Sequence, residues 1–150
     1  MESSSPRRSH RPTVARLLDL GIPEYLIAST LEGVLAQRLV RRICDACRVA
    51  YQPPAELIAQ LTTRPVGRLT LQRGLGCASC RGTGFRGRIG LFELVVVTDD
   101  MRDEITRRAG RTELRTVVEQ SGMTSLRADG WRKVEAGLTT IDEVLRVVQS

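Results

Sequence analysis

The four cysteines of this chain form two Cys-x-x-Cys pairs, Cys44 with Cys47 and Cys77 with Cys80. A gap of two residues lets one tight turn direct both sulfurs towards a single point, and two such turns supply the four thiolates that tetrahedral Zn²⁺ prefers. Four thiolates complete the coordination of the metal, so no position stays open for water or substrate. The spacing therefore predicts a structural zinc site, with these four cysteines as its ligands, that constrains how the residues between the pairs fold.

A redox dithiol or a disulfide is the alternative use of such pairs. A thioredoxin-like pair lies at the junction of a strand and a helix, whereas both pairs here lie in basic, loop-like segments. Residues 1–11 are rich in Ser and Arg, lack the apolar core of a signal peptide, and are expected to form a disordered leader. No apolar run reaches the length of a membrane span. We therefore expect a cytoplasmic protein, in which structural disulfides are rare.

The charge of the chain is basic, with a formal value of +6 at pH 7. Such a charge permits a nucleic-acid or membrane partner without requiring one. Lys133 is the only lysine among 23 basic residues, a bias that we interpret as a property of the coding sequence. Tyr51 and Phe85 are the only aromatic residues near the cysteines, which offers little for stacking on bases. A nucleic-acid partner is therefore not favoured.

Two helices are predicted before the first cysteine pair. A short one covers Pro12–Leu20 and ends at Gly21. A longer one begins at Pro23 and continues to Arg42, because apolar residues recur there at steps of three and four. The apolar residues of this stripe are Leu26, Ile27, Leu31, Val34, Leu35, Leu39 and Ile43.

The remaining pattern predicts short strands and then helices, and hence an α/β chain. A short helix follows Pro53-Pro54, and glycines from Gly82 to Gly90 indicate an irregular turn. Strands are expected at Arg68–Leu71 and Leu91–Val97, and helices at Asp99–Ala109, Thr112–Gln120 and Thr124–Ala136, the second capped by Thr112. A last helix is predicted after the capping box that Thr140 and Glu143 form.

The sequence assigns no catalytic and no cofactor-binding residue. An ATP-binding P-loop requires Gly-Lys-Ser/Thr, and Lys133 stands between Arg132 and Val134. The G-x-G-x-x-G pattern of Gly82–Gly87 lacks the strand before it and the helix after it that a dinucleotide site needs. His10 is the only histidine, so no His-based triad can be assembled beyond that single group.

Three stretches of the chain, in this order and spacing, resemble the C-terminal part of the bacterial type II secretion and type IV pilus assembly ATPases, the GspE/PilB family. The resemblance covers residues from Pro12 to the end. The stretches are Leu31-Glu-Gly-Val-Leu-Ala-Gln-Arg-Leu-Val-Arg41 with Cys44-x-x-Cys47; Cys77-x-x-Cys80-Arg-Gly-Thr-Gly-Phe-Arg-Gly-Arg-Ile-Gly-Leu-Phe-Glu-Leu94; and Met123-x-x-Leu126-Arg-x-Asp-Gly130 with Gly137-Leu-Thr-Thr140-x-x-Glu143-Val-Leu145.

The resemblance implies an α/β fragment with three parts after the leader. Residues 12–43 would be the terminal helices of a RecA-like ATPase domain, residues 44–97 a tetracysteine zinc module with the strand that follows it, and residues 98–150 a C-terminal helical subdomain. Family members are cytoplasmic hexamers that act at the inner-membrane face, with platform proteins of a secretion or pilus machine as partners. ATP and Mg²⁺ would bind only to the full-length family member, because the Walker motifs are missing from this sequence.

Two functions are therefore compared. The first is a zinc-stabilised segment of such an ATPase that does not bind or hydrolyse ATP by itself, with other ATPase-domain subunits as partners and no small-molecule substrate. The alternative is an autonomous zinc-ribbon adaptor that binds nucleic acid or a protein. A third resemblance, of Cys77–Gly84 to one repeat of DnaJ-type chaperones, is weaker, because the first cysteine pair lacks the glycines of such a repeat.

Overall fold

A computed structural model describes residues 13–63 and 69–148. The predicted leader and His10 lie outside the described residues. The chain forms two compact units, each of which combines segments that are distant in sequence. The described residues up to Val34 and Val95–Met123 form the first unit; the described parts of Leu35–Leu94 and Thr124–Ser150 form the second.

Helices and short strands alternate along the chain. The helices are α1 (Thr13–Asp19), α2 (Glu24–Thr30), α3 (Ala55–Ala59), α4 (Asp99–Thr106), α5 (Arg111–Gln120), α6 (Leu126–Glu135) and α7 (Ile141–Val148). The strands are β1 (Gly33–Ile43), β2 (Arg48–Tyr51), β3 (Leu71–Gly74) and β4 (Phe85–Val96). Among the described helices, none combines the length and the apolarity that a membrane crossing requires.

The first unit packs α1, α2, α4 and α5 around a small core. Ile27, Ala28 and Ile105 are its buried residues, and half-buried leucines of α1 and α5 pack against them. Arg102 of α4 joins α2 to this core, since its guanidinium donates to the carbonyl oxygen of Ala28. An open, mainly apolar groove of about 690 Å³ runs between α1, α4 and α5.

The second unit contains two small sheets. Strand β1 pairs with β4, and β2 pairs with β3 in antiparallel register, with Val49 opposite Arg73 and Tyr51 opposite Leu71. Helices α3, α6 and α7 pack with the strands around one apolar core. The buried residues of this core are Val40, Ile58, Leu61, Leu71, Leu91, Trp131, Val134, Ile141, Val144 and Leu145.

A buried carboxylate joins α7 to β1 in the second unit. The Glu143 side chain is 3% exposed and accepts from the backbone N–H of Arg41 at 2.9 Å, from the Arg41 guanidinium at 2.7 Å and from Arg146 at 2.9 Å. Burial raises the pKa of Glu143, but these two arginines outweigh it and hold the pKa at about 2. The Thr139 hydroxyl also donates to the Arg41 carbonyl oxygen at 2.8 Å. The backbone N–H and carbonyl oxygen of Arg41 thus find hydrogen-bond partners at this edge of β1 without a further strand.

The long helix predicted from Pro23 to Arg42 is wrong after Thr30. Residues 33–43 form strand β1, in which exposure alternates from residue to residue up to Val40. The apolar pattern was ambiguous between a helix and a strand. Leu35 and Leu39 were counted as part of a helical stripe, but they lie on one face of the strand, where they are 61% and 47% exposed. Pairing with β4 satisfies the backbone of this segment, which local sequence cannot reveal.

The other predicted elements are found with shifted ends. Helices α1 and α3 to α7 lie where helices were expected, whereas the strand expected at Arg68–Leu71 begins at Leu71, and the strand after the glycines begins earlier, at Phe85. The cap predicted for Thr112 is wrong, since Gly110 is the N-cap of α5. The capping box is half formed: the Thr140 hydroxyl accepts from the Glu143 N–H at 3.4 Å, but the Glu143 carboxylate is directed to Arg41 instead.

Candidate metal centre

The first cysteine pair lies directly after β1. Cys44 is buried, and its N–H donates to the carbonyl oxygen of Gly84 at 2.9 Å, which ties the first pair to the second. A single 3-10 turn, Asp45–Cys47, then returns the chain so that the Cys47 N–H donates to the Cys44 carbonyl oxygen at 3.3 Å. This turn directs both sulfurs to the same side, as the two-residue gap predicts.

The second pair forms a similar turn before β4. A 3-10 turn covers Ala78–Cys80, and Arg81 follows it in the left-handed conformation, with φ of 53°. The Thr83 hydroxyl donates to the Cys80 carbonyl oxygen at 2.7 Å and so closes the turn. Strand β4 begins at Phe85, inside the G-x-G-x-x-G pattern, so Gly82 and Gly84 belong to this turn, Gly87 lies in the strand, and no helix begins here.

The four sulfurs form one cluster, with all Sγ atoms within 4.8 Å of one another. Sγ–Sγ distances are 3.9 Å for Cys44 and Cys77, 3.9 Å for Cys47 and Cys80, and 3.8 Å for Cys77 and Cys80. A tetrahedron of thiolates around Zn²⁺ has edges of about 3.8 Å, given a Zn–S distance of about 2.3 Å. None of the four cysteines is in a disulfide, which would need sulfurs at about 2.05 Å. The cluster could therefore hold a metal ion.

Backbone N–H groups are directed at two of the sulfurs. Cys80 accepts from the N–H of Cys77 and of Gly84, both at 3.2 Å, and Cys47 accepts from Gly76 at 3.3 Å. Burial raises the pKa of Cys80, yet its two N–H donors outweigh that effect and bring the pKa to about 6. Burial together with the neighbouring thiols raises the pKa of Cys47 to about 11, although Gly76 opposes this. These donors prepare Cys80 to be a thiolate, the form that binds metal.

Close contact between two stretches of backbone makes the cluster possible. A Cβ atom on Gly74 would lie 2.0 Å from the Gly84 carbonyl oxygen, and one on Gly84 would lie 2.5 Å from that of Gly74. A Cβ atom on Gly76 would likewise lie 2.5 Å from the Gly82 carbonyl oxygen. Only glycine leaves room for these contacts. The later glycines were predicted from sequence to form a turn, but Gly74 and Gly76 were not singled out, and their positions before the second pair were the available signal.

Arginines surround the cluster and cover its neighbouring aromatic rings. Asp45, in the first turn, pairs with Arg42 at 2.9 Å and with Arg48. The Arg41 guanidinium lies 4.2 Å from the centroid of Phe85, and that of Arg73 lies 5.2 Å from the centroid of Tyr51. In each ring, the face that the arginine covers is not available for stacking on a nucleobase.

The fold thus brings the side chains of the four predicted ligands together in one cluster. Among the described residues, no other group of three or more His, Cys, Asp or Glu side chains is placed to hold a metal. Asp99 and Asp100 lie in the first turn of α4, where the helix dipole accounts for them, and Asp103 follows in the next turn. Each of the two turns supplies two of the four sulfurs, so the cluster offers four thiol ligands of one kind.

A family model described as Type II/IV secretion system protein matches residues 7–146. The chain is 44% identical over 136 residues to Type II secretion system protein E of Pseudomonas aeruginosa, which covers 91% of this chain and 27% of the relative. It is 39% identical over 134 residues to the type IV pilus assembly ATPase PilB of Thermus thermophilus, covering 88% of this chain and 15% of the relative. It is 39% identical over 136 residues to the type II secretion system ATPase E of Vibrio cholerae, covering 91% of this chain and 27% of the relative. The chain therefore spans about a quarter or less of the length of these relatives.

Proposed function

The chain belongs to the family of type II/IV secretion system proteins, and we propose that it is a zinc-stabilised C-terminal segment of an ATPase that powers protein secretion or pilus assembly. The observation that carries this proposal is a match over residues 7–146 that includes the complete four-sulfur cluster. The relatives named as ATPases support the activity of the whole protein.

Zinc is the metal that best suits this cluster. Four thiolates are soft ligands, and their spacing fits a tetrahedral ion without an open position. Cys44, Cys47, Cys77 and Cys80 would hold the ion, whose contribution is to join the end of β1 to the start of β4. The purified chain is expected to contain one zinc per molecule, which elemental analysis by mass spectrometry measures.

Catalysis is proposed to belong to the whole ATPase and not to this segment. The sequence contains no Walker A loop. We expect no ATP hydrolysis by the chain alone, and turnover that persists through rigorous purification would contradict this. ATP and Mg²⁺ would bind to the family's ATPase core.

The organisation of the segment follows from the family. Residues 12–43 would be the end of a RecA-like domain, here two helices and a strand; residues 44–97 would be the zinc module; and residues 98–150 a helical subdomain. Its partners would be the ATPase domains of a hexamer and platform proteins of the machine, at the cytoplasmic face of the inner membrane.

A chimera tests the proposal. The segment of the Pseudomonas aeruginosa protein that matches this chain is replaced by residues 12–150, and the chimera is expressed in a strain without the native gene. Restored secretion of the strain's exported enzymes is expected, because the chain is 44% identical there. A matched chimera with Cys44→Ser and Cys77→Ser should lose secretion. A chimera that accumulates with bound zinc but does not secrete would overturn the proposal.

A further inference from the structure

The last helix of the chain is bonded to the strand that leads into the sulfur cluster. The Glu143 side chain of α7 is 3% exposed and accepts from the backbone N–H of Arg41 at 2.9 Å and from its guanidinium at 2.7 Å. On the same strand, the N–H of Ile43 donates to the Leu138 carbonyl oxygen at 3.0 Å. Cys44, the first of the four cysteines, follows Ile43 directly. The position of α7 is therefore fixed relative to the start of the cluster.

The Arg41 guanidinium extends this connection to the second cysteine turn. It lies 4.2 Å from the centroid of the Phe85 ring while it donates to Glu143. The Arg41 side chain is 52% exposed, so solvent would compete for it if the carboxylate were lost. A planar guanidinium that binds a carboxylate and also stacks on a ring is held in one orientation, which an ammonium group does not achieve. Arg41 therefore links α7 to the first residue of β4.

Phe85 directly follows a residue that bonds to both cysteine pairs. The Gly84 N–H donates to the Cys80 sulfur at 3.2 Å, and the Gly84 carbonyl oxygen accepts from the Cys44 N–H at 2.9 Å. Because the peptide group is planar, the position of Phe85 sets the direction of this carbonyl. Gly84 also lies so close to Gly74 that few other positions are open to it, as the 2.5 Å approach of an added Cβ shows. A displaced Phe85 would therefore disturb both bonds of Gly84 to the cysteines.

We propose that Glu143 and Arg41 are positioning residues for the metal centre. In this proposal α7 holds the Arg41 guanidinium on the Phe85 ring, and the ring holds Gly84 against its two cysteine partners. The inference rests on the proposed function, in which the four sulfurs bind Zn²⁺. Groups that orient the ligands of a metal contribute to its affinity although they do not touch it. Docking of α7 then favours zinc binding, and bound zinc favours docking of α7 by the same factor.

A second carboxylate of the same unit provides an internal comparison. The Asp129 side chain of α6 is 19% exposed, accepts from the backbone N–H of Phe92 at 2.9 Å and pairs with Lys133. The Lys133 ammonium lies 5.1 Å from the Phe92 ring centroid. Both arrangements thus combine a carboxylate, a strand N–H, a cation and a ring. They differ in place, because Phe92 lies further along β4, away from the residue that bonds to the cysteines.

Competition between the chain and a chromophoric chelator for Zn²⁺ tests the proposal at neutral pH. Glu143→Gln should weaken zinc binding by about tenfold or more, because a neutral amide holds the Arg41 guanidinium less firmly. Phe85→Leu, which keeps apolar volume but removes the ring face, should weaken zinc binding by a similar factor. The matched control Asp129→Asn removes the same charge and should change it by less than about twofold. The free energy of unfolding is measured for each variant, so that affinities are compared at known stability.

Two further measurements separate positioning from loss of stability. In the zinc-loaded chain, NMR should show faster exchange of the Gly84 amide in Glu143→Gln than in Asp129→Asn, since this amide donates to the Cys80 sulfur. The double variant Glu143→Gln with Phe85→Leu should bind zinc less than about twofold more weakly than either single variant, because both substitutions break the same connection.

Three outcomes would overturn the inference. Equal weakening by Glu143→Gln and Asp129→Asn would show an effect of charge or stability alone. Multiplied losses in the double variant would show that Glu143 and Phe85 act independently. Unchanged exchange of the Gly84 amide in Glu143→Gln would show that α7 does not act on the cysteine turns. In each of these cases the native chain still binds zinc, whereas a native chain without zinc would contradict the proposed function as well, so the two failures are distinguishable.

Discussion

The two compact units of this chain are stabilised in different ways. The second unit has ten buried residues in its main core, a cluster of four sulfurs and two glycine pairs in close backbone contact. The core cluster of the first unit has three buried residues, Ile27, Ala28 and Ile105, and an open groove of about 690 Å³ lies beside them. Strand pairing, the four-sulfur cluster and close backbone contacts constrain the second unit, whereas the first unit is held mainly by helix packing and by polar bonds such as that of Arg102 to Ala28.

The two units are therefore expected to differ in local stability. Small cores contribute little free energy, so the helices of the first unit should open more readily than the sheets of the second.

Removal of the metal should affect the second unit most. Structural Zn²⁺ contributes on the order of 10 kcal/mol in small thiolate domains, so a chelator should remove most of the amide protection of β1 to β4. The amides of α2 and α4, which pack on the separate core of the first unit, should change much less. Hydrogen exchange followed by mass spectrometry measures both regions in one sample.

Restoration by metal is the control for that experiment. Adding back Zn²⁺ should return the protection of the second unit, and Mg²⁺ should not, because thiolates bind it poorly. Equal loss of protection in both units on chelation would refute the contrast between them.

Gly84→Ala should be strongly destabilising. The new Cβ would lie 2.5 Å from the Gly74 carbonyl oxygen, in backbone that cannot move away without separating the cysteine turns. The combined clash and left-handed strain should lower the free energy of unfolding by about 3 to 4 kcal/mol and weaken zinc binding. Chemical denaturation and a competitive zinc titration measure the two effects.

Gly82→Ala is a matched control for this clash. Gly82 has the same φ of 75° as Gly84, but no atom lies within 4 Å of its added Cβ. Gly82→Ala should lower the free energy of unfolding by only about 1 kcal/mol, because the new side chain strains the left-handed backbone without a clash. Similar losses for the two variants would mean that close backbone contact does not support the metal centre.

Apolar truncations compare the two cores directly. Ile141→Ala removes a side chain that is 0% exposed in the second unit and should cost about 4 kcal/mol, because its surroundings cannot relax into the space. Ile105→Ala should cost about 2 kcal/mol, since Ile105 lines the open groove of the first unit and the loss mainly enlarges that groove. Thermal or chemical unfolding checks both values, and a larger loss for Ile105→Ala would reverse the comparison.

The Glu143 carboxylate should make the second unit sensitive to acid. Its pKa in the folded protein, about 2, lies below the ordinary value of 4.5, so its contribution is complete above about pH 4.5 and is lost as the pH falls towards 2. Glu143→Gln should cost about 2 kcal/mol at neutral pH through weaker bonds to Arg41 and Arg146, and should flatten this pH dependence.

An exposed ion pair of the first unit is the control for Glu143. Glu119 pairs with Arg115 at 2.7 Å, but the two side chains are 59% and 75% exposed. Glu119→Gln should therefore change stability by less than about 0.5 kcal/mol and leave the acid profile unchanged. An unchanged acid profile in Glu143→Gln would contradict the assigned role of its carboxylate.

Local chemistry made parts of this protein predictable. The four clustered cysteines could be named from sequence because a two-residue gap directs two sulfurs to one side of a tight turn. Most of the helices could be placed for a similar reason, since caps, glycine stops and apolar periodicity act within a few residues.

Segments that depend on distant partners could not be predicted in this way. Residues 33–43 have an apolar spacing compatible with a helix, and only pairing with β4 makes them a strand. Glu143 matches a capping box in sequence, yet a distant guanidinium, that of Arg41, attracts its carboxylate more strongly than the local backbone does.

The sequence by itself determined the family, most of the helical segments and which four cysteines could hold a metal ion, because each of these depends on residue types at short spacing. The tertiary structure alone decided that β1 is a strand, that Gly74 and Gly84 must lack side chains, and that a buried carboxylate joins α7 to the strand before the metal ligands. The physical reason is the same in each case: backbone pairing, steric exclusion and charge pairing act between atoms that only folding brings together.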